Sequence, residues 1–212
     1  MSVRRLPVYL LLDCSTSMTG QPIEQVRQGL RALLDDLSTE PMAIETVYLS
    51  VITFNNTAQQ LIPLTELMQF KEPHIQAGGT TALGAALRLL KNCLETEVRK
   101  NTETEKGDWK PLVFLMTDGM PTDAWENAAD EIKPAKIANL IAFAAGSSAN
   151  VDNLKRITDV VLKSDELSSG ALKAFFQWMS QSILRTGKSV QVIAQGTPVD
   201  LPPPPPQIQI VP

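Results

Sequence analysis

Three short runs of this chain are almost wholly apolar, and two of them stop abruptly at an aspartate. Residues 7–12 (PVYLLL) end at Asp13, residues 112–117 (LVFLMT) end at Asp118, and residues 140–145 (LIAFAA) form the third run. Apolar runs of this length without alternation are typical of strands that are buried on both faces. Segments with helical periodicity separate them, which predicts an α/β fold.

The predicted elements alternate along the chain. The turn at Asn55-Asn56 predicts that the segment after it returns as an antiparallel strand. The fold class is therefore predicted as a doubly wound, mostly parallel central sheet with one antiparallel edge strand and helices on both faces. Strands are predicted at residues 7–12, 47–54, 58–64, 110–117, 140–145 and 160–163 (a short edge strand), and helices at residues 22–37, 82–99, 124–132, 150–157 and 170–184.

The polar run that follows the first strand is the first candidate for a metal site. Asp13, Ser15 and Ser17 occupy alternate positions, and alternate side chains of an extended chain share one face. Three oxygen donors in one cleft suit a hard cation such as Mg²⁺ or Mn²⁺. The alternative is a strand-to-helix turn in which Asp and Ser serve only as caps.

Two further segments supply the donors that such a site would still need. The glycine-rich loop Gly78-Gly79-Thr80-Thr81 precedes a predicted helix, and Asp118 follows a predicted strand. In open parallel sheets, ligands bind beyond the carboxyl ends of the strands. Asp13 and Asp118 are therefore expected to meet if their two strands are neighbours.

Together these motifs resemble the metal-ion-dependent adhesion site of the von Willebrand factor A family. That site has the pattern D-x-S-x-S, then a Thr in a glycine-rich loop, then T-D-G, and this chain has all three in order over roughly residues 5–185. The resemblance implies a Rossmann-like fold. It also implies a metal site formed by Asp13, Ser15, Ser17, Thr80 and Asp118. Thr81 competes with Thr80, because the loop offers two adjacent threonines.

The resemblance also implies a binding function. Neutral hydroxyl ligands leave the cation under-neutralised, and Mg²⁺ prefers six ligands, so one position stays open for an Asp or Glu carboxylate of a protein partner. No catalytic residue and no organic cofactor are expected.

Two longer runs resemble a narrower group within this family. Residues 12–18 (LDCSTSM) and 115–123 (LMTDGMPTD) are similar to the TerY-type proteins of bacterial tellurium-resistance operons. The resemblance implies a role in tellurite and chemical-stress resistance. Kinase-like proteins, phosphatases and other tellurium-resistance proteins would then be the partners.

Two other functions stay open, a metal-dependent phosphatase and an accessory subunit of a AAA-type ATPase. An aspartyl-phosphate hydrolase of the haloacid-dehalogenase type would carry a second Asp two residues after Asp13, where this chain has Ser15. The single histidine, His74, is predicted to be a loop residue, and no G-x-x-x-x-G-K-[ST] phosphate loop is present.

Charge and cysteine content limit the possible partners and the cellular location of the protein. The formal net charge is −4 and no basic block occurs, so nucleic-acid binding is not expected. Cys14 and Cys93 are predicted to be reduced, and the Cys14 side chain is expected to point away from Ser15. No signal peptide or membrane span is visible, so we expect a cytoplasmic location.

The chain is predicted to divide into a von Willebrand A domain, residues 1–187, and an extended Pro-rich tail, residues 188–212. Five consecutive prolines, Pro202 to Pro206, favour polyproline II, either as a partner-docking segment or as a stiff linker. Residues 189–194 either add a strand or lie over the surface.

Three residues near the motifs have predicted roles of their own. Asp123 is predicted to cap the helix that follows it, with a place at the rim of the metal cleft as the alternative. Trp178 is predicted to lie in the core, and Trp125 is the candidate for an interface residue.

Overall fold

A computed structural model describes residues 3–118, 120–190 and 201–211. Seven strands form one sheet in the spatial order β3-β2-β1-β4-β5-β6-β7. The strands are β1 Leu6–Asp13, β2 Val47–Phe54, β3 Ala58–Glu66, β4 Leu112–Thr117, β5 Asn139–Ala145, β6 Val160–Ser164 and β7 Gln209–Val211. The helices are α1 Gln21–Ser38, α2 Pro41–Thr46, α3 Leu83–Glu97, α4 Glu126–Ala135, α5 Val151–Ile157 and α6 Ser169–Val190.

The predicted fold class is confirmed. Strand β1 lies between β2 and β4, and the pairs from β2 through to β6 are parallel. Strand β3 pairs antiparallel with β2 at one edge, as the Asn55-Asn56 turn predicts. The other edge differs from expectation, because the short strand β7 pairs antiparallel with β6. The segment predicted as an edge strand at residues 160–163 therefore lies inside the sheet.

Helices cover both faces of the sheet, and this explains why the central strands lack an apolar–polar alternation. All eight residues of β1 are buried. Val8, Leu10 and Leu12 face the core that includes α1 and α6, whereas Tyr9 and Leu11 face the core that includes α3, α4 and α5. Both faces of β1 are therefore apolar, as in other doubly wound sheets.

Asp123 caps a helix, but not the one that the sequence predicts. Helix α4 begins at Glu126, and its N-cap residue makes no side-chain cap hydrogen bond. The Asp123 carboxylate instead accepts hydrogen bonds of 2.9 Å from the backbone N–H groups of Gly84 and Ala85, at the start of α3. Asp123 therefore ties the chain after Asp118 to the helix that follows the glycine-rich loop.

The two tryptophans differ in how well they match expectation. Trp178 is buried in the core, as predicted. Trp125, the interface candidate, is only 8% exposed, and the guanidinium of Arg156 lies 5.7 Å from its ring centroid. Trp125 thus has little free surface to offer a partner.

The proline-rich segment lies against the domain. The indole N–H of Trp178 donates a hydrogen bond of 2.9 Å to the carbonyl of Pro202, and Ile208 is buried in the core. Of the segment predicted to add a strand or cover the surface, residues 189 and 190 belong to α6, and residues 191–194 lie outside the described residues. The boundary at residue 187 stays a prediction.

Across the described ranges, no helix combines the length and apolar character that a membrane crossing requires.

Candidate metal centre

The first part of the candidate site is the buried carboxylate of Asp13, the last residue of β1. Its Oδ1 atom accepts a hydrogen bond of 2.8 Å from the backbone N–H of Ser15. Its Oδ2 atom accepts a hydrogen bond of 2.6 Å from the Thr117 hydroxyl, at the end of β4. The carboxylate is therefore held between the ends of two neighbouring strands.

The hydroxyl groups of Ser15 and Ser17 connect the segment after Asp13 to the carboxylate of Asp118. The Ser17 hydroxyl donates a hydrogen bond of 2.8 Å to Asp118 Oδ1. The Oγ atoms of Ser15 and Ser17 are 2.9 Å apart. Because Ser17 has a single hydroxyl proton and donates it to Asp118, Ser15 donates to Ser17. Four of the five predicted site residues, Asp13, Ser15, Ser17 and Asp118, are therefore brought together.

Strand order explains this meeting. Strands β1 and β4 are parallel neighbours, with Leu12 opposite Met116. Their carboxyl ends lie at the same edge of the sheet, so the residues that follow them share one cleft. The expectation that the two aspartates meet is confirmed.

The glycine-rich loop packs directly against residues 14–16, which follow β1. Thr16 donates to the carbonyl of Gly79 from its backbone N–H (3.0 Å) and from its hydroxyl (2.9 Å). The backbone N–H of Gly78 donates to the carbonyl of Cys14 at 2.8 Å. Gly79 has φ +88°, and a Cβ there would lie 2.5 Å from the Asn56 side chain. Both features favour glycine at this position.

The two threonines of this loop have different surroundings. Thr80 is exposed, and both its N–H and its hydroxyl contact Asn56 Oδ1, at 2.9 and 3.1 Å. Thr81 is buried, and its backbone exchanges hydrogen bonds with Thr122, in the segment after Asp118. The Thr80 hydroxyl thus lies on Asn56, so its predicted place in the metal shell stays a prediction, as does the competing choice of Thr81.

Three supporting residues escaped the sequence-based prediction. Thr117 holds Asp13, Asn56 holds Thr80, and Thr122 holds Thr81. The T-D-G motif contains Thr117 and was a usable signal. At Asn56 the sequence indicated only a turn, and nothing in the sequence indicated a role for Thr122.

Burial makes the two carboxylates electrostatically unfavourable without a cation. It raises the pKa of Asp13, although hydrogen bonds from Thr117 and Ser15 act in the opposite direction. Burial likewise raises the pKa of Asp118, opposed by the hydrogen bond from Ser17. Neither carboxylate has a Lys or Arg ion-pair partner within the described part of the chain. A bound cation would supply the missing positive charge.

The donors that meet here fit a hard divalent cation. All are oxygens, from two carboxylates and two hydroxyl groups, which is the ligand chemistry of Mg²⁺ and Mn²⁺. The Cys14 thiol is a soft donor that suits these hard cations poorly, and it hydrogen-bonds to the carbonyl of Leu12, 3.5 Å from Sγ. Burial also raises its pKa to about 12, so it stays a protonated thiol near neutral pH.

The pH dependence of stability follows from the two buried carboxyl groups. Because their pKa values are higher in the folded chain than in the unfolded chain, their contribution to stability falls as the pH rises through the folded-state values. With chelator present, we compare the melting temperature of Asp13→Asn with that of the parent chain. We expect the difference in favour of the variant to grow by roughly a few degrees between acidic and neutral pH.

Excess Mg²⁺ should reverse this trend, because the cation requires ionised carboxylates and stabilises the folded chain that binds it. Thermal unfolding of both chains across the pH range, with and without Mg²⁺, measures the effect. A difference in melting temperature that does not vary with pH in chelator would contradict the expectation.

Sequence comparison places this geometry in a family. The sequence model of the von Willebrand factor type A domain matches residues 8–175. Among curated proteins, inter-alpha-trypsin inhibitor heavy chain H2 of Mesocricetus auratus is 25% identical over 204 residues, which cover 84% of this chain and 20% of that protein. The corresponding protein of Mus musculus is 24% identical over the same shares. The chain thus spans only a fifth of the length of these relatives.

Solved structures with the same fold are more distant in sequence. Proximal thread matrix protein 1 from the mussel byssus, solved with a zinc-occupied MIDAS motif, superposes with a TM-score of 0.61 at 17% identity. The match covers 85% of this chain and 48% of that one. The ArnB paralog VWA2 of Sulfolobus acidocaldarius has a TM-score of 0.61 at 20% identity, over 86% of this chain and 46% of that one. At such identities the likeness shows the fold alone.

The family model begins in β1, ends in α6 and includes the D-x-S-x-S run, the glycine-rich loop and Asp118. The chain belongs to the von Willebrand factor type A domain family.

Proposed function

We propose that this domain binds a divalent cation, Mg²⁺ or Mn²⁺, through Asp13, Ser15, Ser17 and Asp118, and with it binds an acidic residue of a partner protein. Von Willebrand A domains are commonly metal-dependent interaction modules. The observation that carries the proposal is the hydrogen-bonded oxygen cluster where β1 and β4 end.

The side chains have separate tasks in this proposal. Asp13 is buried and fixed by Thr117 and by the Ser15 N–H, so it sets the floor of the site. Ser15 and Ser17 offer hydroxyl oxygens, and Ser17 is exposed at the mouth of the site. A bound cation supplies a Lewis-acid position that a carboxylate can occupy.

One hydroxyl from the glycine-rich loop would complete the protein ligands. The Thr80 hydroxyl would have to leave Asn56 to reach the site. The backbone N–H of Thr81 already donates to Thr122, in the segment after Asp118. Separate Thr80→Ala and Thr81→Ala variants decide between them, because only the loss of the true ligand weakens cation binding.

The proposed role is binding and not catalysis. The described hydrogen-bond partners of the four site residues are hydroxyl, carboxyl and backbone groups. His74 is exposed and contacts Gln76, its neighbour in the loop before the glycines. Metal-stimulated hydrolysis of a phosphoester, lost in Asp13→Ala, would overturn this part of the proposal.

We place the binding function in a cytoplasmic system for tellurite and chemical-stress resistance. The two runs that resemble TerY-type proteins, residues 12–18 and 115–123, contain the ligand loops themselves. Kinase-like proteins, phosphatases and other tellurium-resistance proteins are the proposed partners. In a bacterium that lacks its TerY-type protein, we expect this chain to restore tellurite resistance and Asp13→Ala to fail. Equal restoration by both chains would contradict the metal-dependent role.

The direct test of the site is calorimetric titration of the full chain with Mg²⁺ and with Mn²⁺. We expect saturable binding of one cation per chain. A second titration, of the metal-loaded chain with partner fragments, should show binding that excess chelator removes and that Glu→Gln in the fragment weakens. Partner binding that persists in chelator would exclude a metal bridge.

A further inference from the structure

A second concave site lies at the opposite end of the sheet from the metal centre. A cavity of about 290 Å³ opens where β5 and β6 begin, between α3 and the C-terminal ends of α4 and α5. Since β1, β4, β5 and β6 run parallel, the strand beginnings and the metal-bearing strand ends lie at opposite edges. The cavity approaches the volume of small-molecule sites in proteins.

The floor of this cavity is apolar. Ile137, Leu140 and Val160 line it and are partly exposed, whereas Leu90, Ile132 and Ile157, which also line it, are almost completely buried. Such a floor favours a hydrocarbon group over a hydrated ion.

The rim of the cavity carries an excess of positive charge. Lys110, Lys133 and Lys136 line it, with Asp159 as the acidic residue beside them. Lys133 is already engaged, because its Nζ atom lies 2.6 Å from Asp159 Oδ1 and 2.7 Å from the carbonyl of Lys155. The side chains of Lys110 and Lys136 have no hydrogen-bond or ion-pair partner within the described ranges.

The two unpaired lysines are close enough to affect one another. Burial, and then the positive charge of Lys136, lower the pKa of Lys110. Lys136 is the residue that ends α4, in the left-handed conformation common at helix C-termini, with φ +47°. Two positive side chains without acidic partners at the rim of one cavity, in a chain of net charge −4, indicate a place for an anion.

We propose that this cavity binds a small amphiphilic monoanion, a carboxylate on a short hydrocarbon body. The carboxylate lies between Lys110 and Lys136, and the hydrocarbon lies on the partly exposed side chains of Ile137, Leu140 and Val160. Both parts of the ligand are needed, because the rim supplies charge and the floor supplies apolar surface. Binding is independent of the cation, since the metal centre lies at the other edge of the sheet.

Octanoate is the probe that tests this proposal, with octylamine and octanol as the cationic and neutral counterparts. The full chain is titrated in excess chelator, and the methyl resonances of Ile132 and Ile157 are followed by NMR. We expect saturable shifts with octanoate. The Kd should be about tenfold higher for the other two probes, since each lacks the charge that the lysines select.

Charge-removing variants locate the headgroup. We expect Lys110→Gln combined with Lys136→Gln to raise the Kd for octanoate about tenfold. The matched control combines Lys71→Gln with Lys100→Gln, which removes the same charge from equally exposed positions that do not line the cavity and should leave the Kd unchanged. Ala138→Leu, which narrows the cavity, should abolish binding while Mg²⁺ binding shows that the chain is folded.

Three outcomes would overturn the proposal. Octanol that binds as tightly as octanoate would show that the lysines do not select an anion. An equal effect of the control pair would show that net charge, and not this rim, governs binding. Octanoate that does not shift the two isoleucine methyl resonances would show that the cavity is not the site.

Discussion

Replacement of Asp13 by alanine is expected to abolish binding of Mg²⁺ and Mn²⁺ and, with it, binding to an acidic partner. Asp13 is the buried carboxylate that joins the ends of β1 and β4, and its removal leaves Asp118 as the single carboxylate among the four clustered site residues. We expect affinity for the cation to fall by more than about 100-fold, since loss of a residue that only hydrogen-bonds to a metal ligand already costs about 10- to 100-fold. Calorimetric titration of the purified variant measures the loss directly.

Matched variants separate this effect from damage to the fold. Ser15→Ala is expected to lose partner binding as well, whereas Asp35→Ala and Ser38→Ala change the same residue types at exposed positions of α1 and should bind normally. Asp13→Ala removes the acceptor of two hydrogen bonds, which we expect to cost about 1–3 kcal/mol while the chain still folds. Unchanged cation binding by both site variants would rule out the proposed centre.

Replacement of Phe175 by alanine is expected to lower the free energy of unfolding by about 3–5 kcal/mol. Phe175 is fully buried on α6, and its ring stacks on Phe143 of β5 with centroids 4.3 Å apart. It also makes an edge contact with Phe176 and a stacked contact with Trp178, at 6.0 and 6.4 Å. Its removal would leave a void between α6 and the sheet. Chemical denaturation with an unchanged m-value measures the loss.

Phe70→Ala provides the control, because it deletes the same side chain from a partly buried position. A loss at Phe175 no larger than the loss at Phe70 would show that the aromatic cluster is not central to the stability of the domain.

The sequence predicted the sheet and the meeting of four of the five candidate site residues because both depend on local pattern. Apolar runs located the strands, and the two aspartates follow strands that proved to be neighbours. Parallel neighbours bring their carboxyl ends together whatever the rest of the chain does. The meeting of Asp13 and Asp118 was therefore predictable before any contact was known.

Features that depend on distant partners were not predictable in the same way. Asp123 precedes α4, and this position predicts that it caps that helix. Its carboxylate instead accepts hydrogen bonds at the N-terminus of α3, about 40 residues earlier in the sequence. Strand β7 has only three residues and follows a run of prolines, so its pairing with β6 has no local signal. The choice between Thr80 and Thr81 depends on Asn56 and Thr122, which lie in other loops.

The pairing of β7 with β6 has a practical consequence for anyone who produces this protein. A chain shortened at residue 187 would lose the strand that satisfies the backbone groups of Val161, Leu162 and Lys163. It would also leave the buried indole N–H of Trp178 without its acceptor. An uncovered strand at the rim of a sheet is a template for pairing between molecules. Dimers or aggregates of such a shortened chain would therefore reflect the cut and not the natural assembly.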